Sequence, residues 1–238
     1  MSMAKISTPR FLTSLRAIPH LPPNSWYYLA SVTFAVLNRP LEIPAIYTAA
    51  SAASAASAAA VGGSPAAERA VLDRTREALL KASAIGGLPS SINALNALKA
   101  VVPPELLDAP SPTARAEGVR MHAGQMLWES IYGKVGPRVM SGMRRSYDDL
   151  GTVAALVYAG VLAEEAVLSN KETGWVLVAG LVTGGEAWAA QRKGHRRGCV
   201  NNGATWEEVE AVETMAERIV DEVKRVSRGE EDELLRAT

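Results

Sequence analysis

The chain has 238 residues, 48% of them hydrophobic, enough to build a substantial core within one domain. Lysine plus arginine equal aspartate plus glutamate at 25 each, so no net field draws in nucleic acid or an acidic membrane. The single cysteine, Cys199, excludes an intramolecular disulfide, a cysteine-based zinc cluster and a two-cysteine redox cycle within one subunit.

Residues 1–20 carry Lys5, Arg10 and Arg16 with no acid before Glu42, and Pro9 and Pro19 interrupt them. That composition predicts a flexible basic tail, and it also suits a mitochondrial presequence. Asn24-Ser25 then offers a cap for an apolar helix from Trp26 to Leu37, which Asn38-Arg39-Pro40 stops. Residues 49–63 form an Ala/Ser/Gly-rich insert whose alanines favour a helix but which has too little apolar bulk to anchor itself, so either a helix or, by preference, a surface excursion or linker is expected there.

Ser64-Pro65 with Glu68 marks the next start, with Ser64 as N-cap, Pro65 in the first turn and an acid at the positive end of the dipole. This helix is expected to run to about Ser83, and Gly86-Gly87 ends it. A further helix starts at Pro89, with Ile92, Leu95 and Leu98 as its stripe, and closes at Pro103-Pro104. Helical patterns recur over 113–132, 138–147, 150–168, 171–183, 186–201 and 205–227. The last is the clearest, because Thr205 and Glu208 form a capping box ahead of an apolar face of Val209, Val212, Ala216, Ile219 and Val223. Residues 228–238 read as a charged tail ending in Arg236-Ala237-Thr238, which is not a Ser-Lys-Leu-type peroxisomal signal.

No stretch shows strand alternation, so the predicted fold is all-α, a single helical domain over 21–227. The helix pair split by Gly86-Gly87 is echoed by the pair split by Gly184-Gly185, as two duplicated helical units would be. No apolar run reaches the roughly 18 residues of a spanning helix, so no integral membrane segment is expected.

The segment from Gly194-His195 through Asn201-Asn202-Gly203-Ala204-Thr205 to Glu207-Glu208-Val209 resembles the C-terminal half of the carboxymuconolactone decarboxylase and alkylhydroperoxidase-D-like superfamily. Tyr147-Asp148-Asp149-Leu150, Tyr158-Ala159-Gly160, Leu21-Pro22-Pro23-Asn24-Ser25-Trp26 and Gly87-Leu88-Pro89 extend the likeness, which is to a fungal-type member. The resemblance implies an alkylhydroperoxidase-D-like helical bundle, a homo-oligomer, and a histidine that serves a proton relay or substrate pocket. It implies no cofactor. The peroxidase branch is excluded, because its two cysteine positions fall on Trp188 and Gln191 and its relay glutamate falls on Val176.

The expected chemistry is therefore acid/base work on a small anionic organic substrate, with His195 as the titrating group. Glu172 lies one turn before Val176 on the same helix face and is the candidate carboxylate partner. Cys199 lies one turn after His195, where it is either a reactive thiol or a buried inert one. Lys193, Arg196 and Gln191 are the candidate substrate-binding residues. The surrounding cations either depress the His195 pKa and attract an anion, or form a solvated helix end that suits the dipole. His20, His122 and His195 are too scattered for a metal site.

A non-catalytic structural or interaction module of the same fold is the alternative, and a cysteine-dependent peroxide reductase is the third reading. The expected location is intracellular, cytoplasmic or mitochondrial.

Overall fold

The computed structural model describes residues 5–59 and 65–237, and every regular element among them is helical. In chain order the helices are α1 (Pro9–Arg16), α2 (Trp26–Val36), α3 (Ile43–Ala59), α4 (Pro65–Lys81), α5 (Ser83–Lys99) and α6 (Pro104–Leu107). Then come α7 (Met121–Tyr132), α8 (Gly136–Ser146), α9 (Asp148–Val157), α10 (Asn170–Val182), α11 (Ala189–Asn201) and α12 (Trp206–Ala237). A π turn over Tyr158–Leu162 follows α9 directly. No helix among the described residues is long and apolar enough to cross a membrane.

Two helices that are apolar on every side form the centre. Every residue of α2 from Trp26 to Ala35 is buried, and so is every residue of α10 from Thr173 to Val182. A helix with no polar face has to be sheathed by others, and α4, α5 and α12 supply the sheath against both. The α12 face of Val209, Val212, Ala216 and Ile219 is fully buried against this core, and its start is closed by the expected reciprocal cap. Thr205 N–H donates to Glu208 at 3.0 Å, and Glu208 N–H donates to the Thr205 hydroxyl at 3.1 Å.

The beginning of the chain departs from the expected flexible tail. Thr8 caps α1 through Phe11 N–H at 3.3 Å, and Ile6, Leu12, Leu15 and Ile18 are buried in the main core. The buried Glu42 carboxylate accepts Ile6 N–H at 3.0 Å and Ser7 N–H at 2.7 Å, so the first described residues are latched down. The Ala/Ser run also differs from a linker. Ile43, Ile46, Tyr47 and Ala50 are buried, and the alanines continue the helix that those residues anchor, up to Ala59. Val61, Gly62, Gly63 and the expected cap Ser64 lie outside the described residues, as does Thr238. The stretch 228–237, read as a tail, continues α12.

Two predicted helices are shorter than expected. Residues 113–120 hold only a one-turn 3-10 segment at Arg115–Glu117, and the helix expected to run to Leu168 gives way to the π turn and a loop. The glycine breaks of the two helix pairs share a positive φ, 79° at Gly87 and 55° at Gly185, which glycine enters more freely than other residues.

A smaller second cluster, with Leu127, Ile131, Tyr158, Leu162 and Leu177, joins α7, the π turn and α10. Here Gly124 lets α7 touch the chain, since a Cβ on it would stand 2.6 Å from Ala159 Cα. The α8–α9 hairpin hangs from this cluster with only Gly136 and Gly151 buried.

Candidate functional site

His195 sits in the middle of α11, turned inward against α7 and only 8% exposed. The close approach rests on Gly198, where a Cβ would lie 2.6 Å from Ile131 of α7. Across that contact His195 Nε2 lies 3.4 Å from the Tyr132 hydroxyl, and the Tyr158 hydroxyl donates to Tyr132 over a further 3.4 Å. Trp128 packs on both tyrosines, with ring centroids 4.3 Å from Tyr132 and 4.9 Å from Tyr158. Burial pushes the imidazole pKa down to about 4, so the ring is neutral at physiological pH. With Nδ1 carrying the ring hydrogen, Nε2 accepts from Tyr132, and the three side chains form one line of donors ending on a base. Nδ1 itself is buried without a partner among the described residues.

The line opens onto a cavity of about 340 Å³ whose walls include Met121, His122, Gln125, Trp128, Met140 and Tyr158. Tyr158 is thus the element that both faces the cavity and connects to His195. Burial raises the pKa of both tyrosines, so each remains a neutral hydroxyl able to take and pass on a proton.

The other expected site residues go elsewhere. Glu172 completes a capping box with Ser169 at the start of α10 and forms an ion pair with Arg74. Burial pulls its pKa up, but the Ser169 backbone hydrogen bond and Arg74 outweigh this and hold it below the usual range. Cys199 is fully buried against Gly174, and burial pushes its thiol up to about 12. Gln191 and Lys193 are exposed. Arg196 pairs with Glu213 at 3.1 Å and lies over the Trp206 ring at 5.6 Å, so α12 takes up its charge. The expected depression of the His195 pKa is present, but desolvation causes it rather than these cations.

A buried ionic cluster that the sequence reading missed supports the Tyr158 side of the site. Lys81 has no exposed surface and donates to Leu162 O at 2.9 Å, Glu164 O at 2.7 Å and Thr173 Oγ1 at 2.6 Å. Burial pulls its pKa down to about 8, with Glu77 3.6 Å away opposing the shift. Glu77 in turn accepts both prongs of Arg115 at 2.6 and 2.8 Å, and Arg115 also donates to Gly160 O and Val161 O. Two cations therefore hold the carbonyls of the π turn that carries Tyr158. A π turn leaves carbonyls outside the regular helical ladder, and burial makes such donors necessary. The one readable sign was the Glu77/Lys81 spacing of one helical turn.

No known family profile matches the chain, and no solved structure matches it. Proteins that do match include one from Schizosaccharomyces pombe named "Peroxisomal protein 2", 32% identical over 203 residues, which are 85% of this chain and 88% of that protein. A Saccharomyces cerevisiae protein of the same name is 31% identical over 246 aligned residues, covering 81% of this chain and 86% of that one. These relatives overturn the expected cytoplasmic or mitochondrial location. In the N-terminal segment that prompted the mitochondrial reading, Ile6, Leu12, Leu15 and Ile18 are part of the main core, while Lys5, Arg10 and Arg16 are exposed.

Proposed function

This chain belongs to the family of the two yeast proteins named "Peroxisomal protein 2", and from that premise we propose a peroxisomal protein that moves a proton on a small organic substrate with His195, Tyr132 and Tyr158. The observation that carries the chemistry is the unbroken line from the cavity wall at Tyr158 through Tyr132 to a buried neutral imidazole. A substrate proton passes to the Tyr158 oxygen, the Tyr158 proton to Tyr132, and the Tyr132 proton to His195 Nε2. The charge left on the substrate then offsets the cost of a buried imidazolium.

The resemblance to carboxymuconolactone decarboxylases supplies the substrate class to try first, a small lactone bearing a carboxylate. Lys193, Gln191 and Arg196 give no support for holding that carboxylate, because they face solvent or α12. The test is turnover of a γ-carboxymuconolactone-type lactone by the wild type and by His195→Gln, Tyr132→Phe and Tyr158→Phe. Acid/base catalysis predicts losses of about 10²–10⁴-fold in the variants. No turnover by the wild type, or equal turnover by all four proteins, rejects the reading. Location is tested separately, by whether the fluorescently tagged chain coincides with a peroxisomal marker in cells.

A second reading, an assembly of identical chains, is favoured by one feature of the hairpin. Leu150, Val153 and Leu156 of α9 recur at three-residue spacing and are 43%, 53% and 48% exposed, and Met121 at the cavity wall is 49% exposed. A stripe of this kind is what a second copy covers. The two readings are compatible.

A further inference from the structure

A cavity larger than the one at Tyr158 lies elsewhere in the protein. It measures about 610 Å³ and lies between α4, α5 and the segment 107–115. That is within the range of about 300–1,000 Å³ of small-molecule sites. Leu80, Leu95, Leu98, Leu107 and Val167 give it an apolar lining. Its walls are fixed, because Arg69 donates to Pro110 O at 2.7 Å and Arg115 grips Glu77 with both prongs.

The charges around it are unequally satisfied. Asp73 is paired with Arg69, and Glu77 is paired with Arg115 and Lys81. Arg76 and Lys99 also line the cavity and make no ion pair with any described residue, and Asp108 is the one acid of the lining without a cation. Arg76 lies one helical turn before Leu80 on α4, and Lys99 lies one turn after Leu95 on α5. Each helix therefore presents a cation next to a leucine of the same cavity.

We propose that this cavity binds an amphipathic carboxylate, with its aliphatic chain on the leucines and its carboxylate held by Arg76 and Lys99. Two cations and an apolar surface on fixed walls match the two halves of such a ligand, and little ordering is needed on binding. His195, Tyr132 and Tyr158 are not part of this lining, although Glu77 and Arg115 of the cluster behind the π turn are.

The experiment is calorimetric titration of the full chain with sodium decanoate below its micelle concentration, with 1-decanol and decylammonium as controls. Saturable binding of one decanoate per chain is expected, with both controls at least tenfold weaker. Arg76→Gln and Lys99→Gln should each weaken decanoate about tenfold, Leu95→Trp should abolish binding by filling the cavity, and His195→Gln should bind as the wild type does. Absence of decanoate binding, equal affinity for 1-decanol, or wild-type affinity in both cation variants overturns the proposal. Loss of binding in His195→Gln would place the ligand in the other cavity and overturn it as well.

Discussion

Lys81 Nζ donates to the carbonyl oxygen of Leu162 across 2.9 Å, so a cation with no exposed surface closes the end of the turn that carries Tyr158. The same ammonium reaches Glu164 O and Thr173 Oγ1, tying α4 to the π turn and to α10. Sequence neighbours cannot make this joint, since the partners are 81 to 92 positions away.

Replacing Lys81 by Met should therefore destabilise the protein strongly. The shape is kept, but two carbonyls and a hydroxyl lose their donor in a place water does not reach. Removal of one partner from a buried ionic cluster typically costs about 3–5 kcal/mol. The urea midpoint of Lys81→Met against wild type reads this directly. A loss under about 1 kcal/mol would mean that Arg115 alone holds the turn.

Local signals were readable in the sequence and distant pairings were not. The Thr205/Glu208 cap is complete within four residues, and the apolar stripe of α12 repeats at helical spacing, so both could be placed from residue types alone. The N-terminal helix was missed because its latch, Glu42, lies 36 positions from Ile6. At the site, His195 was found through a resemblance, while its partner Tyr132 stands 63 positions away. Arg115 was assigned to the first turns of a helix that begins only at Met121, since its partner Glu77 is 38 positions back and outcompetes local helical order. Pairs of common residues at such separations carry no spacing rule.

The burial of His195 gives stability a specific dependence on pH. Its folded pKa of about 4 lies below the ordinary 6.5, so between those values the unfolded chain takes up a proton that the folded chain refuses. The contribution is complete above pH 6.5 and is lost as pH falls towards 4. By pH 4.5 this amounts to about 2–3 kcal/mol. Unfolding curves at pH 7 and 4.5 should show that much smaller a drop in His195→Gln than in wild type. Equal drops would mean that the ring is not buried in solution.

The α9 stripe makes a prediction about association. If a second copy covers Leu150, Val153 and Leu156, the wild type should elute and scatter light as an oligomer. Val153→Lys, on a position 53% exposed in the single chain, should reduce it to a monomer without lowering its thermal midpoint as a monomer. A wild type that is monomeric at tens of micromolar rejects the assembly.

Cys199 should be chemically silent in the folded state. Burial, with smaller contributions from Glu213 and Glu208, pushes its thiol up to about 12, so the reactive thiolate is scarce and unreachable at neutral pH. An aromatic disulfide reagent at pH 8 should label no thiol in the native protein and one per chain in urea. Rapid native labelling would reopen the cysteine-dependent reading.

The same cysteine reports on the contact that sets α11, and with it His195, against α10. A Cβ on Gly174 would stand 2.7 Å from Cys199 Sγ, well inside ordinary contact, and Cys199 lies one helical turn beyond His195. Gly174→Ala should therefore cost about 1–3 kcal/mol through overpacking, despite the better helix propensity of alanine. Cys199→Ala removes the opposing sulfur, so the double variant should be more stable than the sum of the two single changes predicts. A coupling of at least about 0.5 kcal/mol in urea unfolding is the expected sign. Additive effects would mean that α10 and α11 separate freely, and His195 would then not be fixed against Tyr132.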